Sequence, residues 1–258
     1  MASMIDAATT AAAAAPTRAR EPHYLRTAVA LSATAYLGFW FTYFGPNLRG
    51  TYPAAAPAVH LHGWSFFAFY LLLPLQAGLI HARRVRLHRT LGWSSLALAA
   101  VMTATGTLVL GVQMATALAS PEPGFWSAWG LMIFATLVLF VGFYLAAIVL
   151  HRDRASHKRL MLVAGAAGLG AAGFRIVMTM FGPVDWATPV GILATNLFIV
   201  GGIAYDAWRD RRVHPAYGYG LAICLVVEIG AWLGVSTGVG QSLGRSLAWV
   251  GSSFAGWY

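Results

Sequence analysis

The 258-residue chain has one cysteine, one lysine and eight acidic residues, and only 10% of its residues are charged. Each scarcity excludes something. With Cys224 alone inside an apolar stretch, neither an intrachain disulfide nor a cysteine-ligated zinc or iron–sulfur site can be built. A soluble globular domain carries about 25% charged residues, which excludes an ordinary cytosolic protein. The one lysine, Lys158, lies in a basic connection and not within the last apolar stretch, which excludes a retinal photoreceptor. Gly-x-Ser-x-Gly, His-Glu-x-x-His, a Walker loop and paired carboxylates at workable spacing are all missing, so hydrolysis has no visible machinery.

What the chain has in abundance is hydrophobic sequence, 59% of its residues. It comes in blocks of roughly 18 to 25 residues, the length a helix needs to cross about 30 Å of hydrocarbon. Spans are predicted over 27–44, 58–80, 91–112, 126–150, 160–181, 188–205 and 217–235. The expected fold is all-α: a polytopic transmembrane bundle of seven helices within 23–236. An alanine-rich leader, 1–22, reads as a disordered cytoplasmic tail. Residues 237–258 are too short and too rich in Gly and Ser to span, and Trp249, Trp257 and Tyr258 suit an interfacial C-terminal segment along the membrane surface.

A formal charge of +9 would point to nucleic acid in a soluble domain. Here the basic residues fall in short connections, so topology explains them and no nucleic-acid partner is assigned; the lipid bilayer is the partner that composition implies. Arg and Lys cluster on alternate connections: Arg18, Arg20 and Arg26, then Arg83 to Arg89, Arg152 to Arg159, and Arg209 to Arg212. The opposite side has only Arg49 and Arg245. The N-terminus is expected in the cytoplasm and the C-terminus outside. Within the fifth span the run GAAGLGAAG, 165–173, reads as a packing surface rather than a dinucleotide loop, and places that helix at the centre of the bundle.

Ionisable residues within spans are expensive and mark candidate sites. Counting from the span ends at about 1.5 Å per residue puts Arg175, Glu228 and Asn196 roughly 9 to 12 Å below the outer boundary. His60 and His62 open the second span at the same side. The minimal expectation is an ion pair between Arg175 and Glu228, since an unpaired charge in the membrane interior costs several kcal/mol. The fuller one adds Asn196, His60 and His62 in an outward-facing polar pocket for a proton, an anion, a metal or a haem propionate. His62, Phe69 and Gln76 share one face of the second span at heptad spacing, a stripe that fits packing or a cavity.

Two connections resemble each other, HARRVRLHR (81–89) and HRDRASHKR (151–159). His81, His88, His151 and His157 either converge as ligands of a haem iron or transition metal, or lie at the headgroups as helix-end residues. His88 with His157 is the best facing pair. The runs VHLHGWSFFAFYLLLPLQAGLIHARRVRLHRTLGW (59–93) and HKRLMLVAGAAGLGAAGFR (157–175), a little under half the chain, resemble a large group of uncharacterised bacterial inner-membrane proteins. That group is distantly similar to membrane proteins that help mature haem–copper terminal oxidases. The resemblance implies signature positions His60, His62, Gln76, His88, Arg89, His157, Lys158 and Arg175, and a haem-, metal- or respiration-related role beside a respiratory membrane complex. The residues themselves offer His62, His88, His157 and Arg175 as candidates to hold haem b or a transition metal, and His60 with His62 as candidate metal ligands. The alternatives are a small proton-coupled transporter, against which stands the lack of an inverted repeat or a broken pair of short helices, and a noncatalytic assembly subunit.

Overall fold

A computed structural model describes residues 22–121 and 125–258; the tail expected over 1–22 lies, Pro22 apart, outside the described residues. Among the described residues every regular element is helical. Helix α1 (Pro22–Phe39) runs through a π-helical turn (Trp40–Phe44) into the short α2 (Gly45–Leu48). Helices α3 (Pro57–His81) and α4 (Val85–Ala119) form a hairpin, and α5 (Phe125–Val149) follows. Then come two interrupted helices, α6 (Arg154–Ala167) with α7 (Gly170–Phe181), and α8 (Ala187–Ala194) with α9 (Leu197–Asp210). Helix α10 (Pro215–Gly234) and α11 (Gly238–Ser253) complete the chain.

Local chemistry sets the helix ends. Pro57 and Pro215 occupy first-turn positions, where a missing N–H costs nothing and the fixed φ favours the helix. Asp153 caps α6 by accepting from the Ala155 N–H at 2.9 Å, and the His214 ring caps α10 by accepting from the Ala216 N–H at 3.2 Å. Among the described residues five helices are long and apolar enough to cross a membrane, α8 and α9 together counting as one, and α6 with α7, bent by 44°, raises the number to six where that pair counts as one span. The chain therefore has the make-up of a multi-pass membrane protein. The interruptions at Gly168–Leu169 and Thr195–Asn196 are where the structure differs from the sequence expectation, which saw continuous spans and counted the absence of broken helices against transport.

The small residues of α6 and α7 take them to the centre. Every residue from Leu162 to Ala167 is buried, and the pair of helices touches α1, α3, α5, α8, α9 and α10. A methyl group added at Gly173 would collide with the Gly191 carbonyl, so α7 and α8 meet backbone to backbone. Tyr70 of α3 reaches the same strip, its hydroxyl donating to the Gly165 carbonyl at 2.6 Å. The C-terminal segment packs as α11 along α4, with Gly251 against the backbone of Gly111 and with Leu247 and Ala248 buried. The Gly and Ser content of that segment is what permits the close approach.

One buried ion pair clamps the opposite end of the bundle. Arg159 of α6 meets Asp206 of α9 in a fork: Nε donates to Oδ2 and Nη2 to Oδ1, both at 2.8 Å. The Asp206 side chain is fully buried and that of Arg159 is 6% exposed. Asp206 Oδ2 also accepts the backbone N–H of His214 at 3.2 Å, which ties the start of α10 into the clamp. Removing one partner of such a pair leaves a buried charge. Asp206→Asn is expected to cost about 3–5 kcal/mol, while Arg159→Met with Asp206→Leu recovers most of the loss, in thermal melts of the detergent-solubilised protein.

Burial and the nearby Arg159 guanidinium push the His214 imidazole below its usual range, and the cap needs its Nδ1 lone pair. The folded state thus binds fewer protons there than the unfolded state, so stability falls as pH drops through the ordinary histidine range. His214→Asn keeps an acceptor at the cap without the titration. It is expected to flatten the decline in melting temperature between pH 7.5 and 5.5 relative to the unmodified protein.

Candidate functional site

The polar groups that residue counting placed in one slab separate into two sites. A cavity of about 250 Å³ lies among α1, α3, α4, α5 and the bend between α6 and α7, and both His62 and Arg175 line it. Two departures from regular helix shape its wall. The π-helical turn contributes Thr42 and Tyr43, and the bend contributes Gly168. Such irregular turns recur where a helix must open room for a ligand.

Arg175 sits in this cavity without an acidic partner among the described residues. Its guanidinium carbon lies 4.4 Å from the centre of the Phe39 ring and 4.6 Å from that of Phe174, and Nη1 donates to the Ala171 carbonyl at 2.8 Å. The rings hold the cation by their negative faces and leave the rest of its planar fork to the cavity. His62 presents Nδ1 to the Met102 carbonyl at 3.1 Å, so Nδ1 carries the ring proton and Nε2 keeps the lone pair. Tyr52 and Gln113 also line the cavity. Burial raises the Tyr52 phenol above its usual range while Arg175 pulls it down, and Gln113 donates to the Tyr258 hydroxyl at 2.8 Å. Tyr43, Tyr52 and Gln113 escaped the sequence analysis. The signal that could have found Gln113 is a lone amide one residue beyond a predicted span end.

Glu228 is elsewhere. It is fully buried in α10 and its Oε2 accepts from Asn196 Nδ2 at 2.6 Å, at the interruption between α8 and α9. Glu228 Oε1 and Asn196 Oδ1 have no hydrogen-bond partner among the described residues. The expected Arg175–Glu228 ion pair is therefore not formed, and Asn196 belongs with Glu228 rather than with the cavity. Residue counting gives a depth along a helix and no direction, and two residues at one counted depth still differ in the way they face.

The histidines do not gather into a metal centre. His60 Nδ1 bonds the Tyr43 hydroxyl at 2.9 Å while His62 turns to α4, because residues two apart on a helix face about 200° apart. Among the described residues no three His, Cys, Asp or Glu groups could hold a metal ion. His88 and His157 do approach, their ring centres 6.5 Å apart and edge to face. With its carboxamide nitrogen toward His88, Gln76 donates to His88 Nδ1 at 2.6 Å and accepts the Gly92 N–H at 2.9 Å. That arrangement leaves the neutral His88 ring its proton on Nε2, whereas His157 turns Nδ1 to the Ala147 carbonyl at 2.8 Å and keeps its lone pair on Nε2. His81 and His151 stand apart at the helix ends, His151 Nδ1 against the Ile148 carbonyl at 2.7 Å.

Comparison with protein-family models, with curated proteins and with solved structures finds no match to this chain.

Because Arg175 and Glu228 have separate partners, their substitutions are expected to act independently. In a double-mutant cycle of Arg175→Met and Glu228→Gln, read by thermal melting, the combined effect is expected to equal the sum within about 0.5 kcal/mol. A coupling above about 2 kcal/mol would restore the ion pair.

Proposed function

We propose that the protein is a multi-pass protein of the bacterial inner membrane that binds a small organic anion, a carboxylate, in the cavity between His62 and Arg175. Arg175 carries this reading: a guanidinium held by two aromatic rings, lining a cavity, with no carboxylate of the described residues beside it. A buried charge is costly unless paired, and a ligand carboxylate completes the guanidinium's fork bidentately. The His62 lone pair and the Tyr52 hydroxyl offer the rest of the ligand hydrogen bonds. At about 250 Å³ the cavity falls just below the usual range of about 300–1,000 Å³ for ligand pockets, which favours a compact ligand. The topology proposed with it has seven spans, α1 with its π-helical turn being the first and the arginine-rich connections lying in the cytoplasm. The arginine asymmetry supports that orientation, and the resemblance of residues 59–93 and 157–175 supports the inner membrane.

A second reading is transport of the same anion. Two interrupted spans, α6 with α7 and α8 with α9, pack against each other through Gly173 and Gly191, and broken helices near a midplane site are a feature of many transporters. The redox reading, with haem b or a transition metal at His62, His88 and His157 in service of a respiratory complex, has less support. A cavity of this volume beside one histidine favours a smaller guest, and Gln76 gives His88 the tautomer opposite to that of a ligand bound through Nε2.

Thermal melting of the detergent-purified protein with acetate, lactate, succinate and benzoate, against chloride and phosphate, tests the binding. One of the carboxylates is expected to stabilise the protein, by about 2.7 kcal/mol at a hundred times its Kd. Arg175→Gln is expected to abolish the shift and Glu228→Gln to leave it intact. An equal response of the Arg175→Gln protein, or none from any carboxylate, overturns the reading. Near-stoichiometric Soret and α bands in the dithionite-reduced spectrum would put the redox reading in its place.

A further inference from the structure

The turn between α3 and α4 concentrates positive charge that the described part of the chain does not answer. Arg83, Arg84, Arg86 and Arg89 fall within seven residues, and none of them forms an ion pair among the described residues. The described acids are engaged elsewhere or distant in the fold. Asp153 caps α6, Asp206 takes Arg159, Asp210 lies by Arg159 and Arg209, Glu228 bonds Asn196, and Asp185 lies in the turn after α7.

Two of the four arginines share a face with an aromatic residue. Arg86, Arg89, Thr90 and Trp93 stand at i, i+3, i+4 and i+7 on α4, one helical stripe, and with Val85 they line an open recess of about 410 Å³. All are exposed, Trp93 at 64% and Val85 at 50%. The stripe runs from guanidiniums through a hydroxyl to an indole one further turn along the span. That is the order of groups met on passing from a phosphate layer into the acyl region, and tryptophan favours the boundary between them.

We infer that this recess binds the headgroup of an anionic phospholipid, with Arg86 and Arg89 on its phosphate, Thr90 donating to an ester or glycerol oxygen, and Trp93 against the start of the acyl chains. The site rests on the membrane reading of the chain and is independent of the carboxylate cavity, whose first lining residue on α4, Met102, is about 20 Å along the helix from Arg89.

Native mass spectrometry of the detergent-purified protein, titrated with phosphatidylglycerol or with phosphatidylcholine of the same acyl chains, tests the inference. Phosphatidylglycerol is expected to bind more tightly. Arg86→Gln and Arg89→Gln are each expected to weaken it about fivefold, and the double variant about thirtyfold. Arg86→Lys with Arg89→Lys is expected to retain more than the double glutamine variant, and Arg83→Gln with Arg84→Gln to lose less, since those two do not line the recess. The side chains are exposed, so folding does not depend on them; unchanged melting temperatures check this. Equal binding of the two lipids, unchanged binding in the double glutamine variant, or displacement of phosphatidylglycerol by inorganic phosphate at equal concentration would overturn it. Arg175→Gln is expected to leave lipid binding unchanged, so failure here and failure of the carboxylate reading are told apart.

Discussion

The strip of small residues in α6 and α7 is the constraint from which most of the architecture follows. Lipid tails are as apolar as leucine, so helices gain little from simple desolvation inside a bilayer, and close approach with good packing has to hold them together. Gly165, Gly168, Gly170 and Gly173 remove the side chains that would keep α3, α5 and α8 at a distance. Leu31, Leu73, Phe140 and Thr136 occupy the space released. The same composition loosens the helix, and the bend of 44° falls inside the strip. That bend turns α7 so that Arg175 lines the cavity. Central packing and the opening of the cavity therefore have one cause.

Charge is handled in three ways within one chain. Arg159 and Asp206 neutralise each other in a buried fork, and the clamp adds the backbone of His214. Arg175 is held by aromatic faces and a single carbonyl, a weaker arrangement that leaves donors available. Glu228 is given only an amide. The strongest pair lies away from the cavity and serves the fold, whereas the groups with hydrogen-bonding capacity to spare are the ones that can bind.

Much of this was legible in sequence, and what was not has a common reason. The helical blocks follow from block length, and the central place of the fifth span from its glycines. His62 and Arg175 could be brought to one slab by counting residues. Counting gives depth and no azimuth, which is why Glu228 was assigned to Arg175 when α10 presents it to Asn196. Asp206 was passed over because it falls one residue beyond a predicted span end, yet the helix continues to Asp210 and carries the carboxyl inward to Arg159. The interruptions at Gly168 and Asn196 leave no mark on hydropathy, since both sides remain apolar. Lone polar residues at span edges, such as Gln113, are equally silent until a neighbouring helix shows where they point.

Helix α4 is unbroken for 35 residues, about 52 Å at the rise of an α-helix, well beyond the thickness of a hydrocarbon layer. It forms one wall of the cavity at Met102, Gly106 and Gln113, and α11 grips it at Gly111. Nearer its arginine-rich end Gln76 of α3 ties it at Gly92, and the Ser95 hydroxyl meets that of Tyr144 on α5, so the rod is braced along its length. A helix braced at Gly92, Ser95 and Gly111 keeps the cavity wall and the arginine-rich turn at a fixed separation, so that what fills the one leaves the other in place.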